Sequence, residues 1–224
     1  MELAILNRST ILPFRTTYRI AKRVLDLVII LLALPAVLPV MVICALAIRL
    51  DSPGPAWFVQ DRVGKGGRRF RMYKFRTMHH NLDDSDHKVF MRAFVNGQAG
   101  NNGSGKAVYK PFRKSQVTRV GRILRKTSLD ELPQLINVIR GEMSLVGPRP
   151  NVPWEVEEYR GWHKERLEVL PGITGLAQVR GRSGISFDSI VKYDIEYIRR
   201  QGLLMDLRIM WWTVSTVFFG DGAS

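Results

Sequence analysis

The hydrophobic pattern of this chain changes character several times. From Leu27 to Ile48 no residue is charged and nearly all are apolar. As a straight helix that run would reach roughly 33 Å, enough for a bilayer core of about 30 Å. Pro35 and Pro39 interrupt it, and each removes a helical hydrogen bond and favours a kink. Trp57–Gln60 and Phe70–Phe75, on either side of Gly64-Lys-Gly-Gly67, read as two strands of a hairpin. Leu129, Leu132, Leu135, Ile136 and Ile139 then recur at helical spacing, predicting one buried helix face. Ser128-x-x-Glu131 in front of them reads as a capping box, so that helix is expected to start near Ser128. Pro133 falls in or just after the first turn, where a missing N–H costs little, and Gly141 marks the stop. Pro153–Val169 reads as one amphipathic helix, and Ser186 as the cap of another running to Arg200. Leu203–Phe219, with Trp211 and Trp212, suits either an interfacial helix or a core helix.

The punctuation between these elements is Gly- and Pro-rich. Asp51-Ser-Pro-Gly-Pro55 is a turn cluster, and Pro171–Gly175 and Gly181–Gly184 are Gly-rich loops. Such loops let backbone N–H groups approach a phosphate, although ordinary turns have the same composition. Residues 79–116 carry the weakest pattern and are expected to be a flexible insertion. Gly100-x4-Gly105-Lys106 resembles a phosphate-binding loop, but Ala107 stands where a magnesium-holding hydroxyl is needed.

Charge narrows the partners. The formal net charge is +14, from 34 Lys+Arg against 20 Asp+Glu. Nucleic acid, an anionic membrane surface and phosphorylated small molecules all fit that balance. The first is disfavoured, because no nucleic-acid-binding motif and no stacking aromatics accompany the basic stretches. Cys44 is the single cysteine, which excludes an intrachain disulfide and a Cys/His zinc site. The apolar run is flanked by cations on both sides, Arg15, Arg19, Lys22 and Arg23 before it and seven Lys/Arg between Arg62 and Arg76 after it. Lys and Arg prefer the cytoplasmic side. A bent helix that dips into the bilayer and returns keeps both flanks there. It is preferred to a straight span, with a buried core helix as the third reading.

The candidate chemistry centres on Asp130–Glu131, with Arg119, Arg122, Arg125 and Lys126 before it and Arg140 and Arg149 after. A helix start and nearby cations both favour ionised carboxylates. Such a pair could bind a metal and receive an anionic phosphate. The plainer reading is that the two acids only complement the helix dipole.

Several blocks in order resemble the bacterial sugar transferases, the monotopic phosphoglycosyl transferases that prime glycan synthesis. They are Lys22-Arg23-x2-Asp26, Asp51–Pro55, Tyr73-Lys-Phe-Arg-Thr-Met78, Ser128-Leu-Asp-Glu-Leu-Pro-Gln-Leu135, Gly141–Pro150, Pro171–Gly175, Ala177-Gln-Val179 with Gly181-Arg182, and Asp206–Met210. The resemblance implies transfer of a sugar 1-phosphate from a UDP-sugar to polyprenyl (undecaprenyl) phosphate, with release of UMP. It makes Asp130 the nucleophile of a covalent phosphosugar intermediate and Asp130 and Glu131 the holders of Mg²⁺. It makes Arg125, Arg149 and Arg182, with Lys74 and Pro148, the substrate-binding residues. The fold it implies is mainly α with a small β-hairpin (α+β). A re-entrant helix in residues 1–50 and amphipathic interfacial helices would surround a catalytic domain, 51–224, on the cytoplasmic face of the bacterial inner membrane. The expected partners are the UDP-sugar, polyprenyl phosphate and membrane lipids, not nucleic acid, and a homodimer is compatible. The chain would be a short form of the family. Two other activities fit the composition: a membrane glycosyltransferase that releases UDP, and a non-catalytic basic monotopic protein of a polysaccharide assembly.

Overall fold

A computed structural model of the chain describes residues 12–79, 85–97, 116–181 and 185–219. The first element, α1 (Leu12–Asp51), stays helical through Pro35 and Pro39. Its two ends rest on one body. Ile30 packs with Met72, Val138 and Met143, whereas Cys44 and Ile48 pack with Ala56, Phe75 and Leu124. Met72 and Phe75 belong to the same strand. Polar contacts repeat the pattern. Arg23 donates to the carbonyls of Val138 and Ile139, and Asp51 accepts from the Val120 N–H at 2.9 Å. Between these anchor points Leu31, Leu32, Val42, Ile43 and Leu46 are exposed.

The expected hairpin is present and longer than its apolar core suggested. Strand β1 (Trp57–Val63) pairs antiparallel with β2 (Arg69–Phe75), Trp57 opposite Phe75 and Val63 opposite Arg69. Arg76, just past β2, is buried and donates to the Ser52 and Pro53 carbonyls and to the Ser52 hydroxyl. The turn after α1 is thereby tied to the hairpin. Part of the insertion is structured, against expectation. Helix α2 (Ser85–Val95) buries Met91, Phe94 and Val95 against Tyr159, Phe187, Val191 and Ile195. The rest of 79–116, apart from Asn96, Gly97 and a stem in which Met78 bridges Val117, lies outside the described residues.

The helix expected from Ser128 is instead a 3-10 turn and a short helix, preceded by a separate helix that ends there. Helix α3 (Arg119–Thr127) ends at Ser128, whose backbone is left-handed (φ 57°) and whose N–H returns to the Arg125 and Leu124 carbonyls. Leu129–Glu131 is a single 3-10 turn, and helix α4 (Gln134–Arg140) follows. The capping box does not form: the Ser128 side chain makes no capping bond. Pro133 has no N–H to give the Leu129 carbonyl, so the chain turns through tighter i→i+3 bonds, Glu131 to Ser128 and Leu132 to Leu129. Gly141 does end α4, with φ 78°.

The buried face of α4 also differs from the apolar reading. Gln134, Asn137 and Val138 are buried, whereas Ile139 is 49 % exposed. Asn137 explains the rotation. Its amide donates to the Arg71 carbonyl and to Glu142, and its oxygen accepts from the Tyr73 N–H. A satisfied amide can be buried at little cost, and here it clamps α4 to β2.

Strand β3 (Ser144–Val146) pairs parallel with β4 (Gly172–Thr174), so the first Gly-rich loop is partly strand. Between them the expected single helix over 153–169 is broken. Helix α5 (Pro153–Glu157) is followed by an extended Arg160 and a 3-10 segment over Gly161–Glu168. Helices α6 (Leu176–Gly181), α7 (Phe187–Arg200) and α8 (Leu203–Phe219) complete the fold. The Ser186 hydroxyl caps α7 through the Ser189 N–H, as expected. Ile209 and Asp206 of α8 are buried, whereas Leu204, Leu207, Trp211 and Val214 are exposed.

Candidate active site

Three segments converge on the acidic pair. The 3-10 turn carries Asp130 and Glu131. Strand β2 carries Lys74. The loop after β3 carries Pro148 and Arg149. That loop is set by a backbone contact only glycine permits: a Cβ on Gly172 would lie 2.0 Å from the Gly147 nitrogen. The Gly172 N–H meets the Pro148 carbonyl at 2.9 Å, and the Gly147 N–H meets the Thr174 carbonyl at 2.8 Å.

The two carboxylates have different environments. Glu131, 17 % exposed, accepts at Oε1 from both Lys74 Nζ (2.9 Å) and an Arg149 guanidinium nitrogen (3.0 Å). Burial would raise its carboxyl, but Arg149 and Lys74 outweigh burial and hold it at about 2. Burial pushes the Lys74 ammonium down, and Glu131 opposes that push. Asp130 behaves in the other way. Burial raises its carboxyl, and the Glu131 charge adds to that rise, against the opposing pull of Lys74, Arg149 and Arg125. The expectation of two acidified carboxylates therefore holds for Glu131 and reverses for Asp130. The cause is pairing: no described residue forms a hydrogen bond or ion pair with the Asp130 carboxylate, which is enclosed but not clamped.

The remaining expected residues are placed as follows. Arg125, on α3, reaches the Met78 sulfur at 3.8 Å and acts on Asp130 electrostatically. Pro148 is buried and contributes its carbonyl and its shape. Arg182 lies outside the described residues. Asn137, Arg166 and Asp194 were not singled out from the sequence. Asn137 did leave a signal, an amide flanked by Ile136, Val138 and Ile139 in an apolar helical run.

The donor set bears on a metal. Among the described residues no group of three or more His, Cys, Asp or Glu side chains could hold one. The dyad does supply two carboxylates, and both cations on Glu131 use the same oxygen. Magnesium commonly takes one or two protein carboxylates and completes its octahedron with water and substrate phosphate. Asp130 and Oε2 of Glu131 fit that arrangement.

The acidic dyad lies among cations on a basic chain whose α1 and α8 expose apolar side chains. The sequence profile of the bacterial sugar transferases matches residues 17–220. The chain belongs to the bacterial sugar transferase family. Among members, the UDP-glucose:undecaprenyl-phosphate glucose-1-phosphate transferase of Caulobacter vibrioides is 42 % identical over 93 % of this chain and 74 % of its own length. The exopolysaccharide production protein ExoY of Sinorhizobium fredii is 38 % identical over 91 % of this chain and 88 % of its own. The galactosyl transferase CpsE of Streptococcus agalactiae is 39 % identical over 94 % of this chain, which spans only 45 % of that protein. The blocks that carried the resemblance to bacterial sugar transferases also touch one another in space. Lys22 of α1 reaches Asp206 of α8 at 3.0 Å, and Asp26 of α1 accepts from the Ser144 hydroxyl at 2.7 Å.

Proposed function

We propose that this bacterial sugar transferase moves a sugar 1-phosphate from a UDP-sugar to undecaprenyl phosphate and releases UMP. The observation that carries the reading is the asymmetry of the dyad. Glu131 is locked between Lys74 and Arg149, and Asp130 beside it has no such partner. An unpaired, partly buried carboxylate among cations suits a nucleophile that meets an anionic diphosphate.

The chemistry balances as two displacements at one phosphorus. An Asp130 carboxylate oxygen attacks the β-phosphorus of the UDP-sugar. The bond from that phosphorus to the bridging oxygen breaks, and UMP departs with the electron pair. The sugar phosphate is left as an acyl phosphate on Asp130. A phosphate oxygen of undecaprenyl phosphate then attacks the same phosphorus, which frees the aspartate and forms the lipid diphosphate sugar. Arg149 and Lys74 fix Glu131 and add positive charge where the diphosphate lies, and Arg125 adds more beside Asp130. Asp130 and Glu131 would hold Mg²⁺, which when bound neutralises charge on the diphosphate.

A lipid-borne acceptor requires a site at the membrane. Support comes from α1, whose opposite limbs dock on one folded body while its middle exposes Leu31, Leu32, Val42 and Ile43. A helix crossing the bilayer would separate those limbs. We therefore place α1 as re-entrant, with α8 along the interface and the catalytic domain on the cytoplasmic face of the inner membrane.

The test is nucleotide release from purified protein given Mg²⁺, undecaprenyl phosphate and a panel of UDP-sugars. Lipid-dependent UMP is the expected product. Release of UDP would point to a glycosyltransferase that cleaves the sugar–phosphate bond. Neither nucleotide, from a folded sample, would favour a non-catalytic role.

A further inference from the structure

Arg149 reaches Glu131 from a loop, and loops are mobile unless held. The loop here is gripped most extensively by the side chain of Arg166. Arg166 is 3 % exposed and sits in the 3-10 segment Gly161–Glu168. One guanidinium nitrogen donates to the Arg149 carbonyl at 3.0 Å and pairs with Asp194 Oδ2 of α7 at 2.7 Å. The other donates to Asn151 Oδ1 at 2.8 Å and to the Tyr159 hydroxyl at 2.9 Å. Arg62 takes the intervening Pro150 carbonyl at 3.0 Å, and the Val63 N–H takes the Asn151 carbonyl at 2.9 Å.

We infer that Arg166, anchored by Asp194, is a positioning residue that sets where Arg149 meets Glu131. A connected route runs from α7 through Asp194, Arg166 and Arg149 to the dyad. Two features separate this from ordinary packing. A buried ion pair is not needed for stability as such, since well-packed apolar residues often do as well. And the planar fork of arginine is used on two acceptors of the loop and on the Tyr159 hydroxyl at once, which a lysine ammonium cannot reproduce with the same geometry. The inference draws on the phosphoglycosyl transfer reading only in taking Arg149 and Glu131 as working parts.

The test has one readout that needs no turnover and one that does. Hydrogen exchange is compared in wild type and Arg166→Lys, over the peptide spanning 146–152 and over α7. Faster exchange in the loop, with α7 unchanged, is expected; an unchanged loop would overturn the inference. The second readout is kcat and KM in a cycle with Arg149→Ala. Arg166→Lys is expected to lower kcat by about ten- to a hundredfold in the native background, the scale set by misplacing a catalytic group by about 1 Å. In the Arg149→Ala background it should change kcat by less than about threefold, since contacting residues are non-additive. Equal losses in both backgrounds would mean that Arg166 only supports the fold. If Arg166→Lys does not fold, the same two measurements on Asp194→Asn decide. If the wild type releases no UMP, the reaction assignment fails, and hydrogen exchange alone still decides whether Arg166 sets the loop.

Discussion

At the residue scale the dyad divides its labour by partner rather than by residue type. Asp130→Asn keeps the volume but removes the oxygen proposed to attack. It should lower UMP release by about a thousandfold or more, as loss of a nucleophile does elsewhere, with the melting temperature little changed. An Asp130→Asn chain as active as wild type would falsify the covalent route. The pH dependence follows from the direction of the shift. The Asp130 carboxyl is raised by burial, and the proposed covalent route needs it deprotonated. Activity should therefore fall on acidification at a pH above the usual carboxylate range near about 4, while Glu131, held at about 2, stays ionised. A kcat/KM profile from pH 4 to 8 measures where that limb lies, and a flat profile to pH 4 would contradict it.

At the scale of elements, the 3-10 turn is held in front of β2 by α4, and Arg149 comes from the loop after β3; α4 and that loop each depend on one unusual contact. Asn137 makes three side-chain hydrogen bonds, two of which join α4 to β2. Asn137→Ala leaves buried partners unsatisfied, each costing about 1–3 kcal/mol. Thermal denaturation in detergent should show a clear fall in midpoint, with activity lost at lower temperature than in wild type. Gly172→Ala places a Cβ against the Gly147 backbone, so β3 and β4 must separate. Overpacking of this kind costs about 1–3 kcal/mol or more. It should also raise KM for the UDP-sugar, because the Pro148–Arg149 loop moves with β3. A Gly172→Ala chain with native stability and native KM would show that this contact can relax without moving Arg149.

At the scale of the whole molecule, the basic charge, the apolar helices and the dyad belong to one arrangement. Exposed Leu, Ile and Trp side chains of α1 and α8 are apolar surface that a membrane can cover. In a chain with Cys44 changed to Ala, reporter cysteines at Arg19→Cys and Pro53→Cys are expected to label only from the cytoplasmic side. One label on each side of the membrane would establish a straight span. That outcome would also require the contacts of Ile30 or of Ile48 to break, since both now rest beside β2.

Period and punctuation were enough to read the apolar run, the hairpin, the cap of α7 and the Gly141 stop, because each depends on neighbours within a few positions. The dyad and its arginines were legible from the ordered blocks of sequence. What the chain alone could not show are the contacts between distant segments. The single helix from Ser128 became a turn and a short helix because Pro133 and the left-handed Ser128 act together. Asn137 displaced Ile139 from the buried face because its polar partners, two of them on distant β2, outweigh one apolar side chain. The opposite shifts of Asp130 and Glu131 likewise follow from Lys74 and Arg149 meeting one carboxylate and not the other. Local pattern determines the elements whose ends depend on near neighbours, and it marks out the acidic pair with its flanking cations. Tertiary structure decides which acid is clamped and which is left to react, since only folding brings charges from β2, the turn and the loop within about 3 Å of one another.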